Sequence, residues 1–371
     1  MHTQTTLETL PFSWYFDPEI LEREKQTVFS ISNTYIGARP MAPRHGSYYT
    51  LPRFGNGKLL LNNHDEVQLF SNICPHRGML LAEGSGQIGK SLVCPMHRWS
   101  FGLDGQLIGA PHYPEKPCVS IKEEGLQSWN GLLFTGPRNT AEDLAPVNES
   151  FNLDVSHYQL GYYLQEEQDL NWKIPIEVYL DNYHIPYVHP GLNLFTQPSD
   201  WMEATGDYQD DWLVYQAVGA NPAFEKNKGS EVYQAFQNRI LQVNNGELPP
   251  YGIVLALYFP NTIIEWWPFM LVVTTFTPIT PEKSTMVREY YFDAAITAKD
   301  PGYAALARQA FDESQAQDDV LHQGIQAGRK QGYLQHPDRN SGYPVYQNPT
   351  EDCVKGFHQR LMQLMYGLEM E

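Results

Sequence analysis

Two short segments constrain this chain more than anything else in it: Cys74-Pro75-His76 and, after seventeen intervening residues, Cys94-Pro95-Met96-His97. Each carries a thiol and an imidazole at a loop tip stiffened by proline, and Gly78 and Gly102 are read as permitting the tight turns around them. A fold that joins the two tips collects two thiolates and two imidazoles. That is the donor set of a [2Fe–2S] cluster in which histidines replace two cysteines on one iron. A zinc site uses the same donors, but usually as Cys-x-x-Cys followed by His-x₃₋₅-His. The order here departs from that. Cys118 and Cys353 are the only other cysteines, too few for a secreted disulfide scaffold, so a reducing cytoplasm is expected.

The 371-residue chain is long enough for two domains. A net charge of −18 disfavours nucleic acid or an anionic membrane as partner, because both would repel it. The most apolar stretches, 251–259 and 270–276, are too short to span a bilayer, and Met1 to Leu10 has no export-signal pattern. Asp17-Pro18-Glu19 reads as the capped start of a helix. From Ser47 to Thr135, short apolar runs between Gly, Asn and Pro predict an all-β module. Residues 139–150 read as a linker with a possible short helix, and Lys226 to Gly246 as a polar loop or lid. Strands are expected at 253–259, 270–276 and 287–292, and a late helix over 304–328. The sum is an α+β chain with a β-rich insert.

A second metal signature follows. A helix-like segment from Asn171 reaches Asp181-Asn182-Tyr183-His184-Ile185-Pro186-Tyr187-Val188-His189-Pro190, with Glu177, Asp181 and His184 near one face at helical spacing. Pro186 is read as ending or distorting the helix, which lets His189 swing back toward His184. Two imidazoles and one carboxylate form the facial triad of non-heme Fe(II) oxygenases, with positions left open for O₂ and substrate. The late helix supplies Asp318-Asp319. On its wheel Asp318 lies beside Ile325 at the edge of the inward face, whereas Asp319 points nearly opposite and reads as a solvated acid.

The strings Cys74-Pro75-His76-Arg77-Gly78, Cys94-Pro95-Met96-His97-Arg98-Trp99 and Asp181-x-x-His184-x₄-His189 resemble the Rieske non-heme iron ring-hydroxylating oxygenases, alpha subunit, over most of the chain. Met79 and Met96 stand where respiratory Rieske proteins have a bracing disulfide, so the similarity is to the oxygenase and ferredoxin branch. The resemblance implies a helical N-terminal segment over 1–45, an all-β Rieske domain over 46–138, and a larger α+β catalytic domain with a central antiparallel sheet over 139–371. It implies that Cys74, His76, Cys94 and His97 hold the [2Fe–2S] cluster and that His184 and His189 bind a mononuclear Fe(II). Their acid lies eight residues before a Gln-x-Gly, and Gln326-Ala327-Gly328 gives Asp318 again. Asp181 is implied to bridge His184 to His97 of a neighbouring subunit in a head-to-tail homotrimer.

The expected activity is hydroxylation or oxidative demethylation of a small organic substrate with O₂ as co-substrate. Electrons would come from a separate flavin/iron–sulfur reductase using NAD(P)H, since no flavin or nicotinamide fingerprint is read in the chain. Size and the Gln326-x-Gly328…Gly332-Tyr333 ending resemble the oxygenases of choline, betaine or carnitine-like quaternary amines, with aromatic compounds as the alternative. Trp266, Trp267 and Phe269 are candidates for a cation–π cage. Three departures stand out: Arg98 in place of a common glycine, Asp181 where quaternary-amine oxygenases have glutamate, and Val178 where asparagine is frequent. A rival reading, an electron-relaying Rieske protein without its own oxygenase activity, has no use for the second iron motif.

Overall fold

The computed structural model describes residues 10–151, 153–203, 208–210, 212–222, 230–335 and 345–367. The chain divides into two compact units, one of Asn33–Glu142 with Asn152–Leu160, the other of Met1–Ser32, Asp143–Phe151 and Gly161–Glu371. The first nine residues of the expected N-terminal segment lie outside the described residues.

The smaller unit is all β. A five-stranded sheet runs in the order Ser85–Gln87, Ser47–Thr50, Lys58–Asn63, Glu66–Ser71, Glu123–Glu124. Two three-stranded sheets accompany it, one of Leu92–Val93, Ser100–Phe101 and Leu107–Gly109, the other of Thr34–Ala38, Leu132–Thr135 and Gln127–Trp129. The unit therefore starts before residue 46, because Thr34–Ala38 pairs with Leu132–Thr135. Gly84-Ser85-Gly86-Gln87-Ile88-Gly89 does have the Gly-x-Gly-x-x-Gly spacing, which corrects the reading that no such fingerprint is present. It lies on a strand paired with Ser47–Tyr49, and no helix follows to receive a pyrophosphate, so it is not a dinucleotide site.

The larger unit is built on a seven-stranded sheet. Its order is Tyr158–Gln168, Lys283–Asp293, Met270–Thr280, Thr262–Trp267, Ile253–Tyr258, Leu213–Val218, Tyr208–Gln209, and pairing from Lys283–Asp293 onward is antiparallel. Register places Leu255, Glu265, Val272 and Tyr290 side by side on one face. At one end of that face Ile253, Trp267, Val272 and Tyr290 pack with Tyr303, Ala307 and Phe311 of a 33-residue helix, Tyr303–Gln335. At the other end Leu257, Ile263, Phe276 and Met286 pack with Ile174, Ile176 and Leu180 of the helix Lys173–Leu180 and with the C-terminal helix Asp352–Tyr366. Two separate apolar clusters thus leave the middle of the face to polar groups. Asp17 caps the helix Pro18–Thr27 by accepting from the Glu19 N–H at 2.8 Å, as its sequence predicts.

Three local expectations are corrected. Residues 231–243 form a helix with Ser230 as its cap, not a loop or lid, and 226–229 lie outside the described residues. The helix of the second metal motif ends at Leu180, and Pro186 lies in the first turn of a new short helix, Ile185–Val188. Glu177 faces away from His184, and pairs instead with Arg329 at 2.6 Å and His358 at 3.1 Å.

Candidate metal centres

In the β unit, the two Cys/His segments form loops built to one plan. Cys74 N–H donates to the Met79 carbonyl and Cys94 N–H to the Trp99 carbonyl, both at 2.8 Å, so each bond closes a six-residue loop. The amide of the fourth residue after each cysteine, Gly78 or Arg98, donates back to the cysteine carbonyl at 2.9 and 3.1 Å. Antiparallel pairs pinch both bases, Ile73 with Leu80 and Val93 with Ser100. The closing residue needs left-handed backbone, supplied by Gly78 at φ +76° and by Arg98 at φ +62°. Gly102 is not left-handed, so only one of the two glycines singled out in the sequence serves such a turn.

Both thiols are buried, while His76 is half-buried and His97 exposed. Burial, and secondarily the neighbouring Cys94, push the Cys74 thiol up, against the backbone N–H of His76. The two rings lie 4.7 Å apart, and His76 stacks flat on Trp99 at 4.4 Å. Among the described residues these four donors do not converge within 4.8 Å as a single ion would require. Buried thiols with outward imidazoles, set wider than one ion spans, suit a two-iron cluster.

In the larger unit one group of ligand-type side chains does converge: His184, His189 and Asp318. His184 Nε2 lies 3.1 Å from His189 Nε2 and 3.5 Å from Asp318 Oδ1, which is 2.8 Å from His189 Nε2. Donors about 2.1 Å from one metal and 90° apart are separated by about 3.0 Å, so the three atoms fit one face of an octahedron. Asp318 Oδ1 is buried without a hydrogen bond of acceptable geometry, as expected of a ligand atom aimed at a cation. Burial alone would raise the Asp318 carboxyl, but the two imidazoles outweigh it and hold it at about 2. Burial likewise opposes protonation of His184, yet Asp181 and Asp318 carry it up to about 9. The site is thus short of positive charge, which a divalent cation would supply.

Local geometry explains how the ligands meet. Asp181 ends the Lys173–Leu180 helix in an extended conformation and accepts from the Tyr183 N–H at 2.6 Å, which turns the chain. His184 then begins the helix Ile185–Val188 and His189 ends it, so one turn brings both rings to one side. The long helix contributes Asp318, whose side chain is 10% exposed, whereas Asp319 is 65% exposed and lies 3.6 Å from His322. Behind the rings, Asp181 Oδ2 sits 3.4 Å from His184 Nδ1, and Gln317 Oε1 sits 2.7 Å from His189 Nδ1. The Gln317 contact is of the kind that fixes the tautomer and orientation of a metal-binding imidazole, whereas Asp181 faces His184 at ion-pair distance without a hydrogen bond of acceptable geometry. Gln317 was not singled out in the sequence, although it directly precedes Asp318.

A cavity of about 440 Å³, part of it open to solvent, joins the triad to the centre of the sheet face. Leu255, Glu265 and Trp267 line it from the sheet, Trp201 and Leu192 from the side, and Ser314 and Gln315 from the long helix. Of the three aromatics proposed as a cage, only Trp267 reaches it. Trp266 lies on the opposite face of its strand, and Phe269 packs on Tyr303.

Residues 38–129 match the Rieske [2Fe-2S] domain, and residues 154–367 match the ring hydroxylating alpha subunit (catalytic domain). The chain belongs to the Rieske ring-hydroxylating alpha subunits. It is accordingly an oxidoreductase and the oxygenase component of such a system, with a [2Fe–2S] cluster, a mononuclear iron and O₂ as co-substrate. Rieske ring-hydroxylating alpha subunits work with a separate reductase and a small-molecule substrate. The chain is 37% identical over 356 residues to putrescine 2-hydroxylase of Ralstonia nicotianae, covering 96% of this chain and 95% of that protein. It is 33% identical to putrescine 2-hydroxylase of Bordetella bronchiseptica, covering 98% and 86% respectively. A quaternary ammonium Rieske monooxygenase of carnitine oxidation has the same fold, with TM-score 0.70, 20% identity and coverage of 96% and 95%. Among the described residues, no helix is long and apolar enough to cross a membrane.

Proposed function

We propose that this Rieske alpha subunit hydroxylates a small aliphatic amine at a mononuclear Fe(II) held by His184, His189 and Asp318. The observation that carries the ligand assignment is the set of three donor separations around 3 Å. When bound, the iron supplies O₂ activation. The chain's own residues position it: Asp181 and Gln317 orient the two imidazoles, and the cavity walls hold the substrate and exclude water. Cys74, Cys94, His76 and His97 hold the cluster, which a flavin/iron–sulfur reductase using NAD(P)H reduces in the cytoplasm.

The subunits assemble as a head-to-tail homotrimer in which Asp181 accepts from His184 on one side and from a neighbour's His97 on the other. Its partly exposed carboxylate and the outward His97 ring support this route. The carnitine-oxidising neighbour, too, is described with inter-subunit electron transfer. An amine substrate follows from the similarity to two putrescine hydroxylases.

Iron analysis tests the centre. Asp318→Ala is expected to lower the metal from three irons per chain to two while the visible cluster spectrum stays intact. Asp319→Ala is expected to keep three, with stability changed by no more than about 0.5 kcal/mol. Loss of the mononuclear iron in Asp319→Ala alone overturns the assignment.

A further inference from the structure

The middle of the sheet face holds a carboxylate that metal binding does not use. Glu265 lies in the strand Thr262–Trp267, in which every residue is buried, and is itself 4% exposed. Its cross-strand neighbours, Leu255 and Val272, are apolar. A carboxylate so placed is destabilising unless something pairs with it. Oε2 accepts a long bond, 3.4 Å, from Trp267 Nε1; the Tyr179 hydroxyl also faces the carboxyl but donates to Gln315 Oε1 at 2.7 Å, and Oε1 is buried with no hydrogen-bond partner. The nearby Arg288 directs its guanidinium elsewhere, to Gln315 Oε1 at 2.5 Å, Thr274 Oγ1 at 3.1 Å and the Tyr179 hydroxyl at 3.4 Å. Both Glu265 and Trp267 line the cavity that also holds the iron triad.

We infer that Glu265 is the anchor for a protonated, N–H-bearing amine group of the substrate, which donates to Oε1 beside the Trp267 ring. This rests on the reading of the cavity as the site of amine oxygenation and names the residue that selects the amine. A carboxylate oxygen with vacant lone pairs is satisfied by N–H donors in a charge-assisted bond. A trimethylammonium group has no N–H and would leave Oε1 buried and unpaired. Glu265 therefore sets a preference for unmethylated over quaternary amines. Trp267 adds cation–π attraction that either kind of cation receives. Burial pushes the Glu265 carboxyl up to about 7, against the pull of Arg288, so an arriving ammonium also favours its ionised form.

The test is calorimetric titration of the anaerobic, metal-loaded enzyme with 1,4-diaminobutane and with its fully N-methylated bis-quaternary analogue. Glu265→Gln keeps the size and an acceptor for Trp267 but removes the charge. The wild type is expected to bind the diamine at least about tenfold more tightly than the quaternary analogue. Glu265→Gln is expected to weaken diamine binding by roughly ten- to a hundredfold and to abolish that preference, with iron content and cluster spectrum unchanged. Unchanged diamine affinity in loaded Glu265→Gln overturns the anchor and leaves the amine reading standing. If the wild type ignores the diamine and binds an aromatic acid such as benzoate, the amine reading falls and the anchor with it. Should Glu265→Gln fail to load its metals, the wild type decides alone: equal or tighter binding of the quaternary analogue overturns the assignment.

Discussion

Arg98 and Gly78 occupy matching places in the two cluster loops, both with left-handed backbone. A left-handed non-glycine residue costs about 1–2 kcal/mol, and glycine returns part of that through the greater entropy of its unfolded chain. Arg98→Gly is therefore expected to leave stability unchanged or raise it by up to about 1 kcal/mol. A Cβ at Gly78 would meet no atom within 4 Å, so Gly78→Ala isolates the backbone effect and should cost about 1 kcal/mol. Denaturant unfolding of the cluster-loaded protein measures both. Equal costs in the two directions would mean that the loops are not conformational equivalents. Arg98 is thus retained at a position where glycine fits better, on the exposed side of the loop that carries His97.

At the scale of elements, a buried ionic network joins four segments. Glu177 on the Lys173–Leu180 helix meets Arg329 of the long helix, His358 of the C-terminal helix and the Tyr15 hydroxyl, the last at 2.5 Å. One turn earlier, Lys173 pairs with Glu24 at 2.6 Å, fully enclosed. Burial would raise the Glu177 carboxyl, but Arg329 and then His358 outweigh it and hold it at about 2. An unfolded glutamate titrates near 4.3. The stability contributed by ionised Glu177 is thus complete above that value and is lost as pH falls from there through about 2, an effect of order 3 kcal/mol. Glu177→Gln should flatten the decline of stability between pH 5 and 3. At neutral pH it should also lower stability, because the half-buried Arg329 loses its ion-pair partner. An unaltered acid limb would remove Glu177 from the network's energetics.

This network marks where the sequence stopped being legible. Spacing from Glu177 to His184 is helical on paper, but the helix stops at Leu180, so Glu177 turns inward while Asp181 turns to the metal site. The two cluster motifs and the strands near 253–259, 270–276 and 287–292 could be read directly, because their signals lie within a few residues. Asp318 and Asp319 were separable on a wheel for the same reason, since the inward stripe of their helix is continuous. The helix Glu231–Val243 was missed because a polar sequence masked the capping Ser230 and the stripe Tyr233, Phe236, Gln237, Ile240. Glu265 was open to notice, as a lone acid in an apolar strand, but only the cross-strand register shows which face it shares with the metal site.

At the scale of the whole molecule, the proposed trimer makes a prediction that no single chain can satisfy. Asp181→Asn preserves size and removes charge, so both metal centres should load and the cluster should still be reduced. Product formation should fall by roughly 10–100-fold or more, because the shared carboxylate is lost. Mixing inactive Asp181→Asn chains with inactive His97→Cys chains creates interfaces with a normal residue on each side. Part of the activity should return in hybrid trimers. Absence of rescue in verified hybrids sinks the inter-subunit route, and near-normal turnover by Asp181→Asn alone removes the bridge from the mechanism.

The sources of the donors also fix an order of assembly during synthesis. All four proposed cluster donors have been added by residue 97, whereas the proposed iron site draws His189 and Asp318 from segments 129 residues apart. At ribosomal rates of about 5–20 residues per second, Asp318 follows His189 by roughly 6–26 s. Over that interval the growing chain offers a complete cluster-binding module and only two imidazoles of the other centre. Iron–sulfur maturation can therefore begin on the nascent chain, while retention of the lone iron waits for the long helix to leave the ribosome and close the face.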